Sequence, residues 1–354
     1  MDIMKYLLEK KPAIDKKIEE WVPKKYNKES LEKTLGPPTY EYDENACNKA
    51  IADPVWDLLG RGGKRWRPIS MLLIIEALGK NPEDFLDFVV IPECVHNGTL
   101  MIDDIEDNSD LRRGEPCTHK KFGIDIAVNA GNTLYYLPLL VLIKNKNKLN
   151  DKTLRKLYET YVQEMINLSF GQGMDIAWHN GLADADKLTE KEYMQMCAFK
   201  TGTLARMSAK IGAILGGASD EDAKKIGKFA ETIGIAFQIQ DDILNIKPSE
   251  KWGKEIGDDI NEGKRTLMVI HTLKVGKEED KKRLIEILDK HTKDQEEIRE
   301  AIRIMEKYDS INYAKEFARN LVKNAWKDVA EILPESDAKS KLKAFAEFLV
   351  ERDI

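Results

Sequence analysis

The stretch Thr99-Leu100-Met101-Ile102-Asp103-Asp104-Ile105-Glu106-Asp107 closes a longer segment, residues 85–107, whose apolar positions recur at helical spacing. On a helix, Asp103 and Asp107 point the same way one turn apart, with Asp104 beside them. Like charges at that spacing repel, so a solvated helix gains nothing from the arrangement. A divalent cation reverses the sign. Mg²⁺ takes oxygen ligands, keeps several waters and bridges one or two carboxylates to phosphates. A single such cluster also reads as a solvated helix end. Phe237-Gln238-Ile239-Gln240-Asp241-Asp242-Ile243-Leu244-Asn245, however, repeats the layout at the end of another apolar segment. Asp241 and Asn245 take the spacing of Asp103 and Asp107, Asn245 as a weaker, neutral oxygen ligand. Two such helix ends are expected to hold metal ions around one diphosphate.

Helical periodicity continues outward from both clusters. It predicts helices over 3–10, 14–21, 47–59, 69–78, 126–144, 151–171, 189–217 and 220–246. A charged amphipathic remainder, 266–354, is broken at Leu333-Pro334. Residues 1–45, punctuated by Pro12, Pro23, Pro37 and Pro38, read as an arm with short helices, and residues 46–354 as one helical domain. Gly60-Arg61-Gly62-Gly63 stops one helix, and Pro68 opens the next where proline is tolerated. Only 22 Gly and 12 Pro in 354 residues are too few for a many-turned β-protein, and no alternating strand pattern occurs. The predicted fold class is all-α.

A composition of 42% hydrophobic and 33% charged residues is that of a soluble protein. A formal net charge of -6 supplies no general basic field, which argues against a nucleic-acid partner. Cys47, Cys94, Cys117 and Cys197 form no CxxC or zinc-finger spacing and read as reduced thiols. The N-terminal residues lack the apolar stretch of a signal peptide, and the longest apolar run, 135–143, is too short to cross a bilayer. A cytoplasmic location is the expectation, without a transmembrane segment.

A diphosphate needs cations as well as metal, and these stand near both clusters. Gly62-Gly63-Lys64-Arg65-Trp66-Arg67-Pro68 sets glycines beside Lys64 and Arg67, and arginine's forked donors match phosphate oxygens. Arg112 and Arg113 follow the first cluster by one loop. Lys200 and Thr201 precede the second cluster; Lys254 and Lys264 lie in the loop after it. His96 sits almost two turns before Asp103, on roughly the same face. Singly, each lysine reads as a surface residue and His96 as a core residue; their joint placement points to a site. No HExxH, Walker, GxSxG or GxGxxG motif stands in a supporting context.

Together these residues resemble the trans-isoprenyl diphosphate synthases, over residues 45 to 275 or so. The motifs that carry the likeness are Gly62 to Pro68, Asp103 to Asp107, Arg112-Arg113-Gly114, Gly171-Gln172-Gly173, Lys200-Thr201-Gly202, Phe237-Gln238 with Asp241-Asp242, and Glu262-Gly263-Lys264. The stretches His96 to Gly114 and Gln172 to Trp178 resemble the eukaryotic-type geranylgeranyl diphosphate synthases in particular. The resemblance implies the isoprenoid synthase fold, a single large helical bundle around a central cavity. It implies that Asp103, Asp107 and Asp241 hold Mg²⁺, as a set of three ions, on an allylic diphosphate. Arg112, Lys200, Lys264 and Lys254 would bind that same group. Lys64, Arg67, His96 and Arg113 would hold isopentenyl diphosphate, and Thr201 and Gln238 would face the carbocation. The implied reaction is Mg-dependent head-to-tail (1'-4) condensation, driven by stabilising the departing diphosphate.

The same resemblance bears on product length. Gly98 and Thr99, one turn before Asp103, are small where short-chain synthases place aromatic rings. Tyr135 and Tyr136 are candidates for a tunnel floor, or else fill the core. Ser169 stands where eukaryotic-type enzymes carry His. Geranylgeranyl diphosphate is the expected product, with geranylfarnesyl or longer chains as the alternative. The family implies a homodimer or higher homo-oligomer, with 126–143 as the expected interface. A terpene cyclase needs no second diphosphate site, and a non-catalytic partner subunit would be expected to have lost acidic ligands. Both readings stand behind the synthase.

Overall fold

The computed structural model describes residues 3–247 and 257–351. Among them the regular structure is helical, apart from one two-stranded ladder. Contacts divide it into two compact units. The first comprises Met1–Thr160, Ser208–Asp220 and Glu335–Ala338; the second comprises Tyr161–Met207, Glu221–Pro334 and Lys339–Ile354.

In the first unit, Ile3–Trp21 is one helix rather than two short ones. Ile3, Tyr6, Leu7, Ile14 and Ile18 form a continuous buried face, whereas Pro12 and Leu8 lie on the exposed side. The hydrogen bond that Pro12 cannot make therefore falls where water can replace it. The helix packs against Trp66–Ala77 and Val90–Glu106, both apolar almost all round because they are enclosed.

Val90–Glu106 makes its broadest contact with Ile124–Tyr136, and the two helices cross at glycines. A Cβ on Gly98 would lie 2.8 Å from the Gly131 carbonyl oxygen and 3.0 Å from Tyr135. One on Gly131 would lie 2.9 Å from Ile102. Gly98 is thus small because a neighbouring backbone approaches it, which corrects its reading as open tunnel space.

Pro138 turns the next residues into a short 3₁₀ segment, Leu137–Leu139, before Leu140–Lys144 resumes. Counted together, Pro82–Glu106 and Ile124–Lys144 are each long and apolar enough to cross a membrane, more than the nine-residue run suggested. The first is mostly buried within the protein; the second exposes Ile124, Val128, Tyr136 and Ile143.

The polar loop after the first cluster contains a ladder pairing Leu111 with Pro116 and Arg112 with Glu115. Arg113 (φ 54°) and Gly114 (φ 79°) form its turn, the left-handed pair that a two-residue hairpin favours. Arg61 anchors this hairpin, donating to the carbonyls of Arg112 at 2.8 Å and Pro116 at 2.8 Å.

Asp151–His179 does not stop at Gly171 but runs on for a total of 29 residues. Glu190–Cys197, opened by a Thr189–Glu192 capping box, passes into a π-helical turn, Ala198–Gly202, before Thr203–Leu215. Within the second unit, three glycines let neighbouring backbones close on that turn. A Cβ on Gly171 would meet the Lys200 amide nitrogen at 2.3 Å, and one on Gly234 would meet the Gly202 Cα at 2.6 Å. Asp220–Ile246 then carries the second acidic cluster at its end.

Candidate active site

The first unit holds the first carboxylate pair. Asp103 lies in the last turn of Val90–Glu106 and Asp107 caps its end. Asp104 turns inward and is 1% exposed; it accepts from Arg112 Nε at 2.8 Å and from the same guanidinium a second time. Arg112 also stands 3.7 Å from Asp103. Burial alone would lower the Arg112 pKa, but Asp104 and then Asp103 outweigh it and raise it. The middle aspartate thus fixes a charged arginine beside the pair.

A second set of cations lies in the same unit. Arg67, 5% exposed, opens Trp66–Ala77 with its guanidinium 4.3 Å over the Trp66 ring. Arg113, at the hairpin tip, donates to the Leu58 carbonyl at 3.3 Å and to that of Gly62. Burial, with Arg65 and Arg112 nearby and Glu93 opposing, lowers its pKa to about 10, so it remains a cation at neutral pH. Burial first, then Arg67 and Arg113, holds His96 well below the usual imidazole value. A neutral His96 offers one N–H to a phosphate oxygen. Lys64 is exposed on the adjoining loop, after Gly62 and Gly63, both with positive φ. Arg67, His96 and Arg113 therefore come together, with Lys64 close by in the chain.

In the second unit a cleft is lined by Asp175, Tyr193, Lys200, Gln238, Asp242 and Lys264, among others. Lys200 rides on the π-helical turn, a local widening often found at functional sites, and donates to Asp175 at 2.5 Å. Burial would raise the Asp175 pKa, yet Lys200 and Lys264 together lower it. Thr201 donates to the Gln238 side-chain oxygen at 2.7 Å, and Gln238 donates through its nitrogen to Asp242 at 2.8 Å. Tyr193 donates to the other Asp242 oxygen at 2.6 Å. Burial, followed by the Asp259 and Asp241 charges, pushes Asp242 far above the ordinary carboxylate range. Lys200, Gln238 and Lys264 thus line one cleft, and Thr201 is bonded to Gln238. Lys254 lies outside the described residues.

Three expectations change. Asn245 is buried and its Oδ1 accepts from the Asp259 backbone N–H at 3.2 Å, so it ties down the next turn instead of offering oxygen to a metal. Tyr136 is 70% exposed, which does not suit the floor of a buried tunnel. Ser169 is exposed as well, and its hydroxyl bonds back to the Met165 carbonyl at 3.1 Å. Thr99 stays half-buried with its hydroxyl on the His96 carbonyl, and Tyr135 is close enough to Glu106 and Asp103 to feel their charge. Asp104, Asp175 and Tyr193 are site residues that spacing did not single out. Asp104 and Asp175 had a signal, the first inside the quoted acidic cluster and the second inside the quoted stretch Gln172 to Trp178, whereas Tyr193 had none.

Among the described residues no three His, Cys, Asp or Glu side chains converge on one point. Asp103 and Asp107 offer carboxylate oxygens, the hard donors that Mg²⁺ takes, and water and phosphate would have to complete its shell.

An all-α chain with two acidic helix ends, each with basic groups nearby, has the makings of an enzyme that activates diphosphate esters. It belongs to the polyprenyl synthetase family, which it matches over residues 48–305. Enzymes of this family are prenyltransferases and depend on Mg²⁺. The chain is 36% identical to a short chain isoprenyl diphosphate synthase of Methanothermobacter thermautotrophicus, covering 84% of this chain and 88% of that one. It is 35% identical to a geranylgeranyl diphosphate synthase of Sulfolobus acidocaldarius, covering 84% and 89%. The crystal structure of geranylgeranyl pyrophosphate synthetase from Pyrococcus horikoshii superposes with a TM-score of 0.85 at 32% identity, covering 99% and 98% of the two chains. The fold is accordingly that of the isoprenoid synthases. These relatives are archaeal, so the likeness to eukaryotic-type enzymes is not supported. The stretch from His96 to Gly114 holds the first acidic cluster and Arg112-Arg113 that define the family likeness, which makes it a poor marker of branch.

Proposed function

We propose that this chain joins isopentenyl diphosphate head-to-tail (1'-4) to an allylic diphosphate, with geranylgeranyl diphosphate as its main product. The observation that carries the reading is the second set of phosphate-binding groups, the cations Arg67, Arg113 and Lys64 with neutral His96, held separately from the Asp104–Arg112 pair. A terpene cyclase, with one diphosphate to bind, has no use for it.

In this reading Asp103, Asp107 and Asp241 are ligands for three Mg²⁺ ions. Bound metal supplies Lewis-acid stabilisation of the departing diphosphate. Arg112, Lys200, Lys264 and Lys254 neutralise that group, while Lys64, Arg67, His96 and Arg113 hold isopentenyl diphosphate. The allylic C–O bond ionises, and the isopentenyl double bond attacks the cation to form the new C–C bond. A proton then leaves to the released diphosphate. Asp242 holds the Gln238 nitrogen, which turns the amide oxygen toward Thr201; both oxygens present negative dipole ends suited to a carbocation. Small, half-buried Thr99 supports a chain growing past the farnesyl length.

We also infer a homodimer formed through the exposed apolar side of Ile124–Tyr136 and Leu140–Lys144. The four free cysteines, three of them buried, favour the reducing cytoplasm.

The test is direct. Purified protein is incubated with Mg²⁺, isopentenyl diphosphate and each allylic primer, and the dephosphorylated products are sized. Chains of geranylgeranyl length are expected. Longer chains would change the product assignment, and no elongation from any primer would overturn the reading.

A further inference from the structure

The loop bearing Lys64 is tied to a helix that lies before the residues matched to the family. Asp15, in Ile3–Trp21, accepts from Arg65 Nε at 2.7 Å. Arg65 also donates to Glu93 at 2.7 Å and to the Leu59 carbonyl at 3.5 Å. Glu93 accepts in turn from Asn97 at 3.1 Å, and the Asn97 oxygen lies 3.5 Å from an Arg113 nitrogen. Arg113 closes the circuit by donating to the Gly62 carbonyl, back on the loop. One series of polar contacts therefore runs from the N-terminal helix through Val90–Glu106 to the hairpin tip.

Arg65 sits at the centre of this series and is built for holding rather than binding. It is 4% exposed and Glu93 is 2% exposed, so their charges answer one another and are withheld from solvent. The Glu93 and Asp15 contacts more than offset the effect of burial, and the guanidinium stays charged. Its φ of 52° is left-handed, a conformation a non-glycine residue keeps only where the surroundings over-determine it. That reversal falls between Lys64 and Arg67, and Arg65 is also the N-cap of the helix bearing Arg67. Where Arg65 is anchored decides the direction in which both neighbours leave the backbone.

We propose that Asp15 and Arg65 are positioning residues for the isopentenyl diphosphate site, the N-terminal helix holding the Lys64–Arg67 loop through Arg65 and Arg113 through Glu93 and Asn97. The proposal rests on the reading of Lys64, Arg67 and Arg113 as ligands of that diphosphate.

The Asp15 side chain is 38% exposed, so its removal is milder than removal of buried Arg65. Asp15→Asn should raise KM for isopentenyl diphosphate about tenfold, with KM for the allylic primer and kcat changed less than about twofold. Asp15→Glu, which keeps the carboxylate, should recover most of the loss. Lys64→Ala and Arg67→Ala are measured beside them, with a thermal melt of every variant. If those two raise the isopentenyl KM and Asp15→Asn leaves it unchanged, the positioning role is wrong and the ligand reading stands. If Asp15→Asn lowers Tm and active fraction while both KM values hold, the contact is merely structural and the proposal fails. An isopentenyl KM untouched by Lys64→Ala and Arg67→Ala would remove the ligand reading, and the proposal with it.

Discussion

Asp103 and Asp104 are adjacent in the chain, yet Asp104 is buried on Arg112 whereas Asp103 stays partly exposed, 3.7 Å from the same guanidinium. Their variants should therefore fail differently. Asp103→Ala is expected to cut kcat about 10²- to 10³-fold with Tm little changed, read by steady-state kinetics and a thermal melt. Asp104→Asn leaves Arg112 with a weakened partner in a buried setting, and should cost about 3 kcal/mol of stability in a denaturant titration. His96 allows a prediction with a sign. Its folded pKa lies below the unfolded value of about 6.5, so the unfolded chain takes up a proton first as pH falls. The stability associated with the neutral ring is present above that value and is lost as pH falls through the folded pKa. Between about pH 7.5 and 5.5, Tm of the unsubstituted protein should fall more than that of His96→Gln. Parallel curves would show that folding leaves the imidazole pKa unchanged. Lys64, Arg67, His96 and Arg113 were all legible as candidates because arginine, lysine and histidine beside glycines and acidic helix ends are unusual in combination. The pairing of Asp104 with Arg112 and of Tyr193 with Asp242 was not, since nothing in their spacing names a partner elsewhere in the chain.

At the level of elements, the second site depends on how closely helices approach the π-helical turn. Gly171→Ala would put a methyl group 2.3 Å from the Lys200 nitrogen, so the turn must shift and carry Lys200 and Thr201 with it. A loss of about 1–3 kcal/mol is expected, together with a fall in kcat, whereas Gly173→Ala, with nothing within 4 Å of its new methyl, should leave both nearly unchanged. The crossing of Val90–Glu106 with Ile124–Tyr136 sharpens the question of chain length. Gly98→Phe collides with the Gly131 carbonyl and should yield little folded protein, a result uninformative about product. Thr99→Phe is the better probe: it should shorten the main product, and an unchanged product by chromatography would exclude Thr99 from the chain's path. Boundaries shifted for local reasons. Helix Ile3–Trp21 ran through Pro12 because that residue faces solvent, and Asp151–His179 ran past Gly171 because a neighbouring backbone, rather than a turn, required the glycine.

Across the whole molecule, each compact unit brings its own acidic helix end, Asp103 to Asp107 in one and Asp241 with Asp242 in the other. The exposed apolar residues Ile124, Val128, Tyr136 and Ile143 remain an uncovered face of the first unit. Ile124→Asp with Val128→Asp should convert a dimer to monomers in sedimentation experiments; a protein already monomeric before substitution would refute the dimer. The sequence by itself determined the all-helical class, the two acidic clusters and most of the cations, because each of these is written in the period and spacing of one contiguous segment. Only the tertiary structure decided that Asp104 belongs to Arg112, that Asp242 holds Gln238 and Tyr193, that Asn245 secures a turn, and that Arg65 reaches back to Asp15. Those assignments depend on distances between side chains brought together by packing, and helical periodicity shows which face is buried but not which partner meets it.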